Sequence, residues 1–157
     1  MKMMKKYLLI AVMLVAGLSA CKKTDANFDT AAQAATDDAL IQSYIAANKL
    51  TNVVHDPSGM YYQVITTGTG AYPTTGATVT VNYTGKLLDG TVFDSNTGFK
   101  TPLTSVVRGW QVGLQHINIG GRILLLIPSA MGYGNSPSGA IPANSVLIFT
   151  IDMLAIN

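Results

Sequence analysis

The sequence predicts an α+β domain in which several antiparallel strands curl over one short helix. Three stretches carry that expectation. Residues 77–87 alternate, with Val79, Val81 and Tyr83 facing one way and Thr78, Thr80, Asn82 and Thr84 the other, the period of a strand with one buried face. Residues 121–127 hold a run of branched residues, Ile123 to Ile127, the pattern of a central strand or one buried on both sides. Between them, Trp110, Gly113, Leu114 and Ile117 fall at i, i+3, i+4 and i+7. That spacing makes a short amphipathic helix, with the single tryptophan at its entrance and facing inward.

Taken in order, the chain opens with a basic segment, Met1 to Lys6, and an apolar run over residues 8–18. The run has the length of a signal-peptide core and falls short of the roughly 20 residues a membrane span needs. It ends in Leu18-Ser19-Ala20-Cys21, which resembles the lipobox of bacterial lipoproteins. The resemblance implies that Cys21 becomes the lipidated first residue of the mature chain, an anchor to a membrane with no catalytic role. With one cysteine, a disulfide within the chain is excluded. Residues 22–35 are polar and alanine-rich and read as a tether. Thr36-Asp37-Asp38 reads as a helix start, a cap with two acids near the positive end of the dipole. Leu40, Ile41, Tyr44 and Ile45 then form an apolar stripe reaching about residue 50. The stripe is expected to pack on the following domain, with a dimerisation helix as the alternative.

Asp56-Pro57-Ser58-Gly59 is a turn signature, followed by a strand over residues 60–66 and a break at Gly68-Thr69-Gly70. That glycine pair is no nucleotide fingerprint, since Pro73 stands where a third glycine belongs and no helical pattern follows. After the strand at 77–87, Leu88-Asp89-Gly90-Thr91 turns the chain and Val92-Phe93-Asp94 returns it. Residues 96–101 read as a loop or bulge, and 102–107 lead to Val106-Val107-Arg108-Gly109-Trp110, where Gly109 permits a sharp change of direction. Residues 128–145 are rich in Pro, Gly, Ser and Asn yet carry Tyr133 and Ile141, so they form a long covering loop. Residues 146–156 close the fold as a strand with Leu147, Phe149, Ile151 and Met153 on one face. The expected division is a signal peptide over 1–20, a lipidated tether and short helix over 21–50, and a folded domain over 51–157.

Composition narrows the function. Hydrophobic residues make up 48% of the chain and charged ones 11%, ample for a packed core. The formal charge of +2 includes Lys2, Lys5 and Lys6, whose removal leaves seven basic residues against eight acidic. From Thr51 onward Lys86, Lys100, Arg108 and Arg122 face Asp56, Asp89, Asp94 and Asp152. No basic face able to follow a phosphate backbone can be built from these, and nucleic acid is not an expected partner. His55 and His116 stand alone, so neither a usual zinc site nor any cofactor is expected. A hydrolase reading fails as well. No Gly-x-Ser-x-Gly elbow exists, because Gly134-Asn135-Ser136-Pro137-Ser138 ends in serine where glycine is required.

The motifs Val81-Asn82-Tyr83-Thr84-Gly85, Asp89-Gly90-Thr91-Val92-Phe93-Asp94-Ser95 and Val106-Val107-Arg108-Gly109-Trp110 recur in a familiar order. With Ile127-Pro128, Tyr133-Gly134, Ile141-Pro142 and Leu147-Ile148-Phe149, they resemble the FKBP-type peptidyl-prolyl cis-trans isomerases over residues 61–157. The resemblance implies an antiparallel β half-barrel wrapped around one short α-helix, here with a short N-terminal helical extension. It also implies an isomerase acting on proline-containing unfolded or partly folded proteins in the bacterial cell envelope. Tyr83, Phe93, Asp94, Trp110 and Tyr133 match the family's catalytic positions, and Val106, Val107, Ile141 and Phe149 its substrate-binding ones. Trp110 would be the pocket floor, and the Ile141 N–H would take a ligand carbonyl. The segment before Val106 is shorter than in many members, leaving Phe99 or Leu103 to complete that wall.

These residue types suit the chemistry. An X-Pro bond turns over a barrier of about 20 kcal/mol with no bond broken, so neither a nucleophile nor a proton shuttle is needed. Twisting the amide removes the resonance that makes it dipolar, so a dry aromatic pocket penalises the planar form more than the twisted one. Asp94 has two readings, as a polar contact for substrate or as a carboxylate that pairs with a hydroxyl or Arg108 and holds the wall. For Trp110 with Tyr133 and Ile141 the combined pattern favours a pocket over plain core. The alternative function is a non-catalytic proline-peptide-binding or chaperone module using the same pocket.

Overall fold

The computed structural model describes residues 30–157, so the basic segment, the apolar run and Cys21 lie outside the described residues. A helix α1 (Thr30–Ala47) precedes strands β1 (Val54–His55), β2 (Tyr61–Thr66), β3 (Thr78–Lys86) and β4 (Val92–Pro102). A helix α2 (Arg108–Gly113) separates these from β5 (Arg122–Ile127) and β6 (Leu147–Ile156). The strands form one antiparallel sheet in the order β1-β2-β5-β6-β3-β4, curved around α2 as the expected half-barrel with a helical extension.

The branched run proves to be the strand with two buried faces. Ile123, Leu125 and Ile127 of β5 point into the main core with Trp110, Leu114, Ile117, Val79 and Val81. Leu124 and Leu126 point the other way, into a second cluster with Ile41, Tyr61, Val146 and Ile148. That second layer explains why β5 lacks alternation: α1 covers the outer face that an antiparallel sheet commonly leaves to water.

Helix α1 begins well before the predicted start, and Thr36 is not its cap. Thr36 lies mid-helix with its hydroxyl donating back to the Ala32 carbonyl at 2.9 Å. The alanines read as tether favour helix by propensity and need no apolar face to do so. Asp37 is fully buried, nowhere near a helix entrance. The packed face is Asp37, Ile41, Tyr44 and Ile45, while Leu40 is displaced to the side and 42% exposed. The helix stops where Lys49 takes a positive φ of 52°, with Leu50 N–H donating to the Ile45 carbonyl at 3.0 Å and Lys49 N–H to Ala46 at 3.1 Å.

Of the two readings of residues 96–101, loop or bulge, the structure shows the bulge, within β4. Val81 pairs with Phe99 but Tyr83 with Asn96, so the strand bulges between them. Gly98 takes φ 68° there, and its N–H donates to Asn82 Oδ1 at 2.8 Å. The two-residue β1, which the sequence did not signal, pairs with β2 across the predicted turn, where Ser58 N–H donates to Asp56 Oδ1 at 2.8 Å.

Gly109 has a different role from the one expected. It lies inside α2 with no positive φ, and a β-carbon there would stand 2.5 Å from Ile127 Cγ2. Four residues on, a β-carbon on Gly113 would stand 2.6 Å from Leu125 Cδ2. The two glycines lie on one helix face and let α2 rest directly on β5. Gly109→Ala should therefore overpack the core and lower unfolding stability by about 1–3 kcal/mol. Urea titration reads this; an unchanged midpoint would mean that Ile127 yields without cost.

Candidate active site

A cavity of about 260 Å³ opens over Trp110 on the inner side of the sheet. Its floor is set from beneath: Trp110 is 4% exposed, and Gly109 and Gly113 seat α2 close against β5. The Trp110 Nε1 is buried and has no hydrogen-bond partner among the described residues. Aromatic neighbours hold the indole instead. Tyr83 meets it edge-on at 5.0 Å between ring centroids, and Phe149 does so at 5.2 Å. Such edge-to-face pairs add about 0.5–1.5 kcal/mol each beyond the area they bury.

The walls come from five other segments. β3 contributes Tyr83, β6 Phe149, and β4 both Asp94 and Phe99. Ser105, Val106 and Val107 form the side leading into α2. Gln111 Nε2 donates to the Val106 carbonyl at 2.8 Å, tying that wall to the helix. Tyr133 reaches in from the long loop and stays 43% exposed, an open rim.

Seven of the nine expected residues thus meet around one cavity. Phe93 and Ile141 are not on its surface. Phe93 stands behind the wall, its ring edge-on to Phe149 at 5.4 Å. Both rings press on Gly85, where a β-carbon would lie 2.6 Å from Phe93 Cζ. Ile141 is 6% exposed in the core, and its N–H donates to the Ser138 carbonyl at 2.9 Å. The Val107 N–H, in contrast, makes no hydrogen bond among the described residues. The wall left open between Phe99 and Leu103 goes to Phe99, because Leu103 is fully buried beneath. Pairing of Phe99 with Val81 across the bulged ladder puts both side chains on the inner face. Ser105 was missed, for no pattern marks a lone serine in a turn.

Asp94 pairs with Tyr83, whose hydroxyl donates to Asp94 Oδ2 at 2.7 Å, and not with Arg108. Burial, then the hydrogen bond and charge of Asp94, push the Tyr83 phenol up to about 12. Neither histidine reaches the cavity. His116 stacks on Tyr62 at 4.2 Å with its Nε2 3.3 Å from Asp56, and His55 stacks on Tyr61 at 4.2 Å. Among the described residues no group of three or more His, Cys, Asp or Glu could hold a metal ion. A larger hollow of about 480 Å³ lies on the solvent side of β3, β4 and β6, but its lining is polar. There Arg122 and Asp152 already satisfy each other through two bonds of 2.6 and 2.8 Å.

The raised Tyr83 pKa has a consequence for stability. The folded state keeps the phenolic proton at a pH where the unfolded chain, titrating near 10, has lost it. Its stabilising contribution is therefore full below pH 10 and disappears as pH rises to about 12. Tyr83→Phe should flatten that alkaline decline in a denaturant series, and an unaltered slope would assign the decline to other groups.

Comparison with known proteins bears on the family and the fold. The sequence pattern of the FKBP-type peptidyl-prolyl cis-trans isomerase family matches residues 70–154. The FKBP-type isomerase FkpA of Aeromonas hydrophila is 42% identical over 120 residues, covering 73% of this chain and 45% of that protein. Outer membrane protein MIP of Legionella longbeachae is 40% identical, over 73% of this chain and 52% of its own length. The chain spans about half the length of these curated relatives. Crystallised FkpA from Escherichia coli superposes with a TM-score of 0.71 at 34% identity, covering 81% of this chain and 62% of that one. A peptidyl-prolyl isomerase from Pseudomonas syringae gives 0.69 at 31% identity, with 82% and 96% covered. Fold and sequence pattern coincide, and the chain belongs to the FKBP-type peptidyl-prolyl cis-trans isomerase family.

Proposed function

We propose that this chain catalyses cis-trans isomerisation of X-Pro bonds in unfolded or partly folded envelope proteins, with the cavity over Trp110 as its active site. The observation that carries the reading is the cavity's make-up: an apolar aromatic box with polar groups only at its edge. Its volume of about 260 Å³ suits one prolyl ring and the adjoining amide. Trp110, Tyr83, Phe99 and Phe149 exclude water from the ring and the rotating bond. A dipolar planar amide loses more solvation there than a twisted one, and each 1.4 kcal/mol of that difference gives about tenfold in rate. Tyr133, at the rim, supplies a hydroxyl for a substrate carbonyl. The unpartnered Val107 N–H is the backbone donor on the opposite side, a role the sequence pointed to at Ile141. Asp94 orients Tyr83 and presents an acceptor at the edge. Phe93 and Ile141 act from behind, as support for Phe149 and for the loop.

The remaining assignments rest on sequence. Residues 1–20 are a signal peptide, 21–50 a lipidated tether with α1, and 51–157 the isomerase domain, held to a membrane of the cell envelope through Cys21. The lipobox-like Leu18-Ser19-Ala20-Cys21 supports the anchor, and one relative is described as an outer membrane protein. Among the described residues no helix is long and apolar enough to cross a membrane.

Conversion of a short X-Pro peptide should be accelerated by the chain and slowed at least tenfold by Trp110→Ala or Asp94→Ala, with circular dichroism verifying each fold. A folded parent that binds the peptide without accelerating it would replace the enzyme by a binding module. Cys21→Ser should move the protein from the membrane to the soluble fraction; retention on the membrane would remove the lipid anchor from the reading.

A further inference from the structure

We propose that Asp37 of α1 is a positioning residue for isomerisation, acting across the sheet on Tyr133. This rests on the isomerase reading above. Asp37 is a fully buried carboxyl group, and the ion pairs of the described residues do not include it. Such a group is costly to bury unless donors surround it, and here three do. Gln33 Nε2 donates to Oδ1 at 2.7 Å, while the Ser129 N–H and hydroxyl donate to Oδ2 at 2.8 and 2.6 Å.

Ser129 is the link to the pocket. Itself buried, it follows β5 directly at the start of the long loop. Its carbonyl accepts the N–H groups of Gly132 at 2.9 Å and Gly134 at 2.8 Å, the two neighbours of Tyr133. Gly134 in turn accepts the Asn144 N–H at 2.8 Å, which closes the loop at its far end. Tyr133 has little packing of its own at 43% exposure, so its backbone clamp sets the point from which the side chain reaches the rim. From outside the loop, the Asp37 carboxyl, 92 residues away in sequence, holds the clamp at Ser129 by two hydrogen bonds. Helix α1 thereby becomes part of the catalytic apparatus without touching the substrate. An apolar residue at position 37 would have packed the helix equally well; a double acceptor there is explained by the serine it holds.

The experiment uses the full chain in mild detergent and separates kcat from KM for an X-Pro peptide, below the unfolding temperature of each variant. Asp37→Ala should lower kcat/KM about tenfold, mostly through KM, since Tyr133 holds substrate. Asp37→Asn keeps an acceptor for Ser129, because Gln33 can turn its amide to match, and should recover most of the loss. In a Tyr133→Ala background Asp37→Ala should cost nothing further. Hydrogen exchange should rise in residues 129–136 and stay unchanged in β3. If Asp37→Ala does not fold, Ser129→Ala removes the hydroxyl bond alone and faces the same comparisons. An unchanged kcat/KM in a folded variant, or a loss that persists in the Tyr133→Ala background, overturns the proposal. Should the parent chain show no isomerase activity, the functional reading fails by itself. The exchange result then still decides whether Asp37 orders the Tyr133 loop.

Discussion

The approach of α2 to β5 is the constraint from which the rest of the site follows. Gly109 and Gly113 present bare backbone to Ile127 and Leu125, so the helix lies closer to the sheet than any residue with a β-carbon would allow. That approach fixes the depth of Trp110, and the indole then serves as a level floor for Tyr83 and Phe149 to stand against. The cavity persists as a hollow because these rings meet edge-to-face and the Gly85 surface leaves room for Phe93 behind them. Interiors pack at crystal-like density, so a hollow of this size needs a rigid floor and rigid inner walls.

The sheet works as a partition between two cores. Its concave face carries the pocket, and its convex face carries α1 over Tyr61, Leu124, Leu126, Val146 and Ile148. A strand with two buried faces cannot slip by one residue without turning five buried side chains around, so β5 fixes the register of its neighbours. Polar groups complete the arrangement at the seams. Tyr61 donates to Asp38 at 2.6 Å on the outer side, and Asp37 holds Ser129 where strand becomes loop. The α1 side of the molecule and the pocket side are thus joined by short hydrogen bonds as well as by apolar contact.

Much of this is legible in the sequence alone. Alternation along residues 78–84 placed β3 and its inward Tyr83, the branched run placed β5, and the spacing of Trp110, Gly113, Leu114 and Ile117 placed the inward helix face. The illegible parts share a cause: the deciding contact lies far away in sequence. Gly109 looked like a turn because glycine is ambiguous between freedom and smallness, and only Ile127 across the interface distinguishes them. Asp37 looked like an acid at a helix start because acids favour the positive end of the dipole, whereas its partner Ser129 is 92 residues distant. Phe99 and Leu103 could not be ranked until the bulge at Gly98 had set the phase of β4.

The sequence by itself determined β2 to β6, α2 with its inward face, and the family, because periodicity and ordered motifs are local properties of the chain. The tertiary structure decided which aromatic side chains share the cavity, which backbone N–H is left without a partner, and how α1 reaches the Tyr133 loop. Those depend on register, bulges and close approach, and each is a relation between residues that the chain brings together only on folding.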